Sequence, residues 1–233
     1  FIFNLFEIIQ YKDLIKFFIK RDFVVFYKQT ILGPLWYVIQ PLVNTIVFTV
    51  IFGNLAKIPT DGNPPFLFYL SGTVIWSYFA ICLTMTSRTF LTNAHIFGKV
   101  YFPRVSVPIS NVIFSLVQFF LQFIIFLFFY IYFFTNGTSL NININLLVIL
   151  PLLLLQTAFL GLGFGLLISS LTTKYRDLNF VMDFFVQLWM FATPIVYPLS
   201  LVPDNYKLII AINPMTSVVE TFRKNTVRKQ NKK

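Results

Sequence analysis

The sequence predicts an all-α, polytopic membrane protein, and two observations support this fold class. Of the 233 residues, 57% are hydrophobic and 11% are charged, whereas a typical soluble domain carries about 25% charged residues. The hydrophobic residues are gathered into five long runs, and a helix needs about 20 apolar residues to cross a bilayer. The sequence therefore predicts five transmembrane helices rather than the core of a soluble protein.

An amphipathic helix is predicted ahead of the first span, within residues 1–34. Apolar residues in the stretch 5–27 recur every three or four positions, which is the period of one helix face, and charged residues are interleaved with them. Such a helix lies in the membrane interface, where lysine stems cover apolar surface and their charges reach water. Gly33 and Pro34 then turn the chain into the bilayer, either as a hinge or as a simple helix end.

The five predicted spans together occupy residues 35–197. They cover residues 35–56, 66–87, 108–134, 146–171 and 179–197. The third is longer than a hydrocarbon core of about 30 Å requires, so we expect it to tilt or to project beyond the lipid. Four prolines between residues 194 and 214 divide the apolar sequence that follows into pieces too short to span.

The distribution of basic residues predicts the orientation. Ten Lys and Arg residues precede the first span or lie in the second-to-third and fourth-to-fifth linkers, whereas the opposite linkers hold Lys57 and Lys207. Because basic residues concentrate in cytoplasmic loops, the N-terminus is predicted to be cytoplasmic. The net charge of +10 then reflects topology, and no nucleic-acid partner is predicted. Residues 223–233 carry six basic residues and would lie outside after five spans, so either a sixth span is missing or replaced or the count of five spans is wrong.

Polar residues inside the runs form two stripes at helical spacing. The candidate channel-lining residues are Tyr37, Gln40, Asn44, Phe48, Asn179, Asp183, Gln187 and Phe191. Gln118 and Gln122 form a similar pair in the third run. Polar groups are costly in lipid unless they face protein or water, so these stripes indicate either hydrogen bonds between helices or a wet channel.

Motifs that carry chemistry are scarce. The eight acidic residues are scattered and the lone His95 lies in a polar linker, so no catalytic group and no metal site are predicted. Residues 97–99 (FGK) lack the first glycine and the hydroxyl residue of a phosphate-binding loop. The glycines at 161, 163 and 165 lie within an apolar run, which indicates close helix packing or flexibility. We expect no cofactor in this chain.

Several segments together resemble a known family. They are KQTILGPLWYVIQPL, YFPRVSVPISN, KYRDL, WMFATPIVYPLS and NPMTSVVETFR, in order from about residue 5 to residue 223 and with the interfacial helix before them. Their combination resembles the permease subunits of type-2 ABC transporters that export polysaccharide, namely O-antigen, capsule or teichoic acid chains. The resemblance implies six spans, a homodimer in the bacterial cytoplasmic (inner) membrane, and a lipid-linked polysaccharide moved through a channel between the two copies.

The resemblance also implies roles for individual residues. ATP would be hydrolysed by a separate ATP-binding cassette subunit, so this chain would not itself be an enzyme. The candidates for coupling to that ATPase are Lys28, Tyr101, Phe102, Arg104, Lys174, Arg176 and Asp177. Gly33 and Pro34 would form the hinge. Residues 198–222 would form a re-entrant outer gate containing Asn213, Pro214 and Met215, with 223–233 as a basic tail where the family has its sixth span.

Two other function classes are compatible with the composition. A membrane-embedded enzyme of polysaccharide assembly, such as a glycosyltransferase or polymerase, would need positioned carboxylates, and the longest internal linker has none. An ion-coupled carrier would need an ionisable residue at membrane depth, for which Asp183 is the candidate. The sequence leaves open which polysaccharide is exported, whether a cap or only the lipid carrier is recognised, which stripe faces the lumen, and whether a truncation or a frameshift removed the sixth span.

Overall fold

A computed structural model describes residues 10–28, 33–99, 101–137, 145–175 and 177–227. Four parts of the sequence predictions lie outside these residues: residues 1–9 and 29–32 of the interfacial segment, Arg176, and the last six residues of the basic tail. Within the described ranges the secondary structure is helical and no strand occurs. The predicted all-α class is therefore confirmed.

Ten α-helices follow one another in the described residues. They are α1 (Lys12–Lys28), α2 (Trp36–Phe48), α3 (Pro65–Ser87), α4 (Thr89–Thr92), α5 (Ala94–Phe97), α6 (Ser106–Thr135), α7 (Leu146–Thr172), α8 (Leu178–Ala192), α9 (Asp204–Ile212) and α10 (Pro214–Thr226). Short 3₁₀ turns cover Gly33–Leu35 and Leu199–Leu201, and α2 continues as a π-helix over Thr49–Leu55.

In the part of the chain that the structure describes, four helices are long and apolar enough to cross a membrane: α2 with its π-helical end, α3, α6 and α7. Their bounds agree with the predicted spans to within two residues at each end. The predicted fifth span is shorter, because α8 ends at Ala192 rather than at residue 197. Thr193 is extended, with φ −100° and ψ 141°, as expected for a residue that precedes a proline, here Pro194.

Helix α3 forms the centre of the bundle and contacts α2, α6, α7 and α10. Its most apolar 18-residue window is 78% buried, compared with 17% for α2, because its residues are apolar on all sides and no polar face remains for solvent. Helix α7 packs closely along it. A Cβ atom on Gly161 would lie 2.6 Å from the Cys82 Cβ, and one on Gly165 would lie 2.5 Å from the Thr86 Cβ. The predicted close packing is confirmed for Gly161 and Gly165, whereas a Cβ atom on Gly163 would meet no atom within 4 Å.

The bundle has two ends, which we call proximal and distal. Helix α1 packs at the proximal end, where Phe18, Phe102 and Val107 form a small core between α1 and the start of α6. Thr172 donates to the Ser87 carbonyl there, at 3.2 Å. The distal end holds the π-helical end of α2 and the starts of α3 and α7. Helices α2 and α6 therefore run from the proximal to the distal end, and α3 and α7 run in the opposite direction.

A short helical hairpin, α9–α10, completes the described chain. Ser200, just before the hairpin, donates to Asp61 in the distal loop at 2.7 Å. Asn213 joins the two helices and is bonded to Trp189, which packs against Phe79 halfway along α3. The chain thus enters the bundle from the distal end and turns back. Because α10 continues to Thr226, the boundary predicted after residue 222 falls inside a helix.

Candidate functional site

The polar stripe of α2 lies mostly on the surface of the chain. Gln40 and Asn44 are exposed, and Tyr37 is half-buried. Phe48 differs from the other three, because it is only 8% exposed and its ring centroid lies 6.3 Å from that of Tyr69 in the core. The stripe that remains available to another molecule is therefore the segment from residue 37 to residue 44.

The polar stripe of α8 is also exposed. Asp183, Gln187 and Phe191 face away from the core, and Asn179 is half-buried. Only two of the 15 residues of α8 are buried. Helix α8 therefore packs against the rest of the described chain along a narrow line and leaves a broad face exposed.

The glutamine pair of α6 has a different environment. Gln118 and Gln122 are 2% and 4% exposed. The side-chain nitrogen of Gln122 donates to the Tyr37 carbonyl oxygen at 2.9 Å. Of the two predictions made for the polar stripes, this pair fits contacts between helices rather than a wet channel, since it lies between α6 and α2 and not on an open face.

At the proximal end, α8 is joined to α3 by an ion pair. The Nη2 atom of Arg88, the residue that follows α3, donates to both carboxylate oxygens of Asp183 at 2.7 Å. The Arg88 side chain is 39% exposed and that of Asp183 is 65% exposed. Exposed pairs of this kind contribute about 0–1 kcal/mol to stability, so the link holds α8 weakly.

At the distal end, Arg223 of α10 is buried, with only 4% of its surface exposed. Its Nη1 atom donates to the Pro194 carbonyl at 2.9 Å and to Glu220 at 3.1 Å, and its Nη2 atom donates to the Ile195 carbonyl at 3.2 Å. The guanidinium carbon lies 3.7 Å from the centre of the Phe68 ring. Arg223 thereby joins α10, the segment after α8, and α3.

The space for Arg223 depends on Gly72 of α3, where a Cβ atom would lie 3.1 Å from the Arg223 Nη2 atom. Burial lowers the pKa of Arg223 to about 10, and the charge of Glu220 opposes that change. Arg223 is therefore protonated at neutral pH. The sequence interpretation missed this site because it counted Arg223 with the basic tail. The available signal was the i, i+3 spacing to Glu220 beside apolar Val219 and Phe222.

Comparison with known proteins decides the family. The sequence matches the profile of the ABC-2 type transporter family over residues 13–227. The chain belongs to the ABC-2 type transporter family. It is 29% identical over 212 residues to an O-antigen export system permease protein RfbA of Klebsiella pneumoniae, covering 91% of this chain and 79% of that protein. It is 25% identical over 219 residues to the protein of the same name from Myxococcus xanthus, covering 93% and 81%.

In this ABC-2 type transporter chain, the predicted coupling residues other than Arg176, which lies outside the described residues, lie at the proximal end. Five of them are exposed: Lys28, Tyr101, Arg104, Lys174 and Asp177. Phe102 is an exception, because it is 6% exposed and its ring centroid lies 5.8 Å from that of Phe18 in the proximal core. It supports the loop from within, whereas its neighbour Tyr101 is 87% exposed.

The predicted gate residues of the ABC-2 chain hold the turn between α9 and α10. The Asn213 Oδ1 atom accepts from the Met215 backbone N–H at 3.1 Å and from the Trp189 indole N–H at 3.0 Å. Its Nδ2 atom donates to the Thr193 hydroxyl at 2.9 Å. Pro214 occupies the first position of α10, where no backbone donor is needed. Met215 is fully buried. Their role as a gate stays a prediction.

The predicted hinge is a single 3₁₀ turn, Gly33–Leu35, at the start of α2. Gly33 has φ +48°, in the left-handed region that side chains other than glycine rarely adopt. This explains the glycine at the turn, whereas movement about it stays a prediction. Among the described residues, no three His, Cys, Asp or Glu side chains are grouped as metal ligands would be.

Proposed function

We propose that this chain is the permease subunit of an ATP-driven exporter that moves a lipid-linked polysaccharide across the bacterial cytoplasmic membrane. Two copies of the chain enclose the channel, and two copies of a separate ATP-binding cassette subunit supply the energy. The family supports the division into permease and ATPase. The polysaccharide class is supported by the two relatives, both of which are O-antigen export permeases by name.

The observation that carries the proposal is the exposed polar stripe on two poorly covered helices. Gln40 and Asn44 on α2, and Asp183 and Gln187 on α8, are exposed although both helices are strongly apolar. Facing lipid, the amides of Gln40, Asn44 and Gln187 would lack hydrogen-bond partners, and the charged pair of Asp183 with Arg88 would be costly there. Facing a second copy across a water-filled passage, they are hydrated. The stripes therefore favour a channel between two copies over a monomer surrounded by lipid.

A sugar polymer suits such a passage chemically. Its hydroxyl groups can exchange hydrogen bonds with the amides of Gln40, Asn44 and Gln187, and its C–H faces can pack on aromatic rings such as Phe191. Each contact is weak and resembles the next one along the stripe. A long polymer can therefore slide without a tightly bound intermediate, which a processive exporter requires.

The proximal end suits contact with the ATPase. Tyr101 and Arg104 are exposed on a loop that rests on Phe102, and Phe102 in turn packs against Phe18 of α1. A force applied to that loop therefore reaches α1 and the start of α6 together. This arrangement is consistent with a cytoplasmic proximal end, as the basic residues of the loops predict.

An export assay tests the proposed function. The chain is produced together with its ATP-binding cassette partner in cells that make the lipid-linked polymer, and surface polysaccharide is measured. We expect export that disappears when the catalytic lysine of the partner's phosphate-binding loop is replaced. Unchanged export with the inactive partner would contradict an ATP-driven permease and would favour a carrier or an enzyme.

Crosslinking with a bis-maleimide reagent, whose spacer can bridge a passage too wide for a direct disulfide, tests the channel between two copies. Asn44→Cys on α2 and Gln187→Cys on α8 are expected to yield crosslinked dimers in membranes. Leu152→Cys is the matched control, because Leu152 is 64% exposed on α7, a helix whose exposed face is apolar and expected to face lipid. Equal crosslinking at all three positions would indicate random collision, and crosslinking at Leu152 alone would place the interface elsewhere.

A further inference from the structure

A cavity of about 370 Å³ lies at the proximal end, between the end of α3 and the start of α8. Its lining consists of Arg88, Leu91, Thr92, Asn179 and Phe180. Arg88 is the basic residue of this group, whereas Leu91 and Phe180 supply apolar surface, with Phe180 85% exposed. The cavity is open to the surface and its lining is almost wholly apolar, so Arg88 borders it with its side-chain stem while Asp183 holds the guanidinium group.

The cation of this cavity already binds an anion that another anion can replace. Arg88 donates to both carboxylate oxygens of Asp183 at 2.7 Å, yet both side chains are substantially exposed. The exposed pair contributes little net stability, so its exchange for another anion costs little. Phosphate is a suitable competitor, because it offers more oxygens and more charge to a guanidinium group than a single carboxylate does.

We infer that this cavity binds the phosphorylated head of an amphiphilic lipid, with the phosphate or diphosphate on Arg88 in exchange for Asp183. The apolar chain of the lipid packs against Leu91 and Phe180. This inference rests on the proposed function, because it assigns a loading site to the lipid-linked substrate. The exposed pair and the apolar wall carry the inference together, since either alone would suit a water-soluble anion or an ordinary lipid tail.

The location of Arg88 suits a lipid head. Arg88 directly follows Ser87, the last residue of the spanning helix α3. Arginines at the ends of spans reach the layer where headgroup phosphates lie, while their stems remain against apolar surface. A lipid that enters sideways from the membrane therefore brings its phosphate to the depth of Arg88 without leaving the bilayer.

Exchange at Arg88 has a consequence for α8. Near its other end, α8 is fixed by Trp189, whose ring packs against Phe79 and whose indole N–H donates to Asn213. Near its start, Asp183 is the ion-pair partner of Arg88, and its neighbour Met182 is buried in the core. A phosphate that displaces Asp183 releases this end of α8, which carries the polar stripe. Loading of the lipid is thereby linked to movement of a channel wall.

A binding experiment tests this site on the purified full-length chain in nanodiscs of phosphatidylcholine. The probe is a polyprenyl diphosphate, and binding is followed by the quenching of tryptophan fluorescence. Arg88→Gln is expected to weaken binding about tenfold, the effect of losing one charge-assisted contact. Asp183→Asn is expected to strengthen binding, because it removes the competing carboxylate. Lys99→Gln, which removes one exposed charge at the same end, is the control and is expected to change little.

The opposite effects expected of Arg88→Gln and Asp183→Asn on binding affinity distinguish a binding site from a structural ion pair. If Asp183→Asn weakens binding as Arg88→Gln does, the pair is structural and the inference is wrong. Equal losses in Arg88→Gln and Lys99→Gln would indicate unspecific attraction, and would also overturn it. The source of the phosphate is tested by competition. Polyprenol and inorganic diphosphate are expected to compete poorly. Equal competition by inorganic diphosphate would contradict a lipid site, and equal competition by phosphatidylglycerol would contradict a loading site for the lipid-linked substrate.

Failure of this inference and failure of the proposed function are separable, because the binding experiment needs neither the ATPase nor export. Export that depends on ATP, together with binding that does not change in Arg88→Gln, would reject the site and retain the function. Binding that responds to both variants, without any export alongside the ATPase, would retain the site and reject the function.

Discussion

The two ends of helix α3 each meet an arginine, and the two arginines are held very differently. At the distal end, Arg223 is 4% exposed and is bonded to two carbonyl oxygens and Glu220, with Phe68 beneath its guanidinium group. At the proximal end, Arg88 is 39% exposed and is paired with Asp183 alone among the described contacts. One arginine is enclosed, and the other has an exchangeable partner.

The difference shows that the surroundings of an arginine decide its role more than its charge does. Removal of a buried, multiply bonded cation leaves acceptors without donors, whereas removal of an exposed cation lets water replace it. The distal end is therefore a fixed junction of α3, α10 and the segment after α8. The proximal end is a junction that an incoming anion can open.

The largest effect is expected at the fixed junction. Arg223→Ala should lower the free energy of unfolding by about 3–5 kcal/mol, because the carbonyls of Pro194 and Ile195 then lose their donors in a buried position. Lys224→Ala is the matched control, since Lys224 is the next residue of the same helix and is exposed. Unfolding by sodium dodecyl sulfate in mixed micelles measures both, and equal losses would remove the contrast between the two ends.

A second change tests whether the whole proximal end is weakly packed or whether only the Arg88–Asp183 pair is weak. Gly165 packs against Thr86, two residues before Arg88, so Gly165→Ala should cost about 1–3 kcal/mol through overpacking. Gly163→Ala should be neutral or stabilising, because no atom lies within 4 Å of its added Cβ and alanine favours the helix. Gly165→Ala should therefore lower the melting temperature, whereas Gly163→Ala should leave it unchanged or raise it. Similar shifts would mean that α3 and α7 are not held together here.

The contrast extends to α2, the other poorly covered helix, whose start depends on Gly33. Gly33→Val should cost about 1–2 kcal/mol, because a branched residue is strained at a positive φ. Gly33→Asn should cost less, since asparagine tolerates that region. Melting temperatures of the two variants test this order, and export by them tests the hinge. Equal stability would show that the turn relaxes, and full export by Gly33→Val would leave the turn as a simple helix end.

The smallest effect is expected at the exchangeable junction. Asp183→Asn should change the free energy of unfolding by no more than about 1 kcal/mol, because the pair it breaks is exposed. The same unfolding measurement used for Arg223 compares the two junctions directly. A loss as large as that of Arg223→Ala would show that the proximal pair is a structural junction too.

The sequence predicted the parts of this fold that depend on composition along the chain. The four long spans were correct to within two residues at each end, because apolar length and polar linkers define them. The early end of α8 was missed, although Pro194 was a visible signal. The environment of Arg223 was not predicted, since its partners Pro194 and Ile195 are 29 and 28 residues away.

The sequence predicted which residues share a polar stripe but not which way each stripe faces. Helical spacing grouped Gln40 with Asn44, and Asp183 with Gln187, yet spacing does not say which way a face points. Phe48 was therefore assigned to the exposed stripe although it packs against Tyr69, and Phe102 was assigned to a partner contact although it packs against Phe18. Aromatic residues suit either environment, so contacts across the fold decide.

The close approach of α7 to α3 also gives this protein an internal reporter. Its single cysteine, Cys82, is fully buried directly beneath Gly161. A maleimide reagent can reach the thiol only when the two helices separate. The labelling rate of the unaltered protein therefore measures how often α3 and α7 separate. Labelling during turnover with the ATPase would show whether this helix pair stays closed during export.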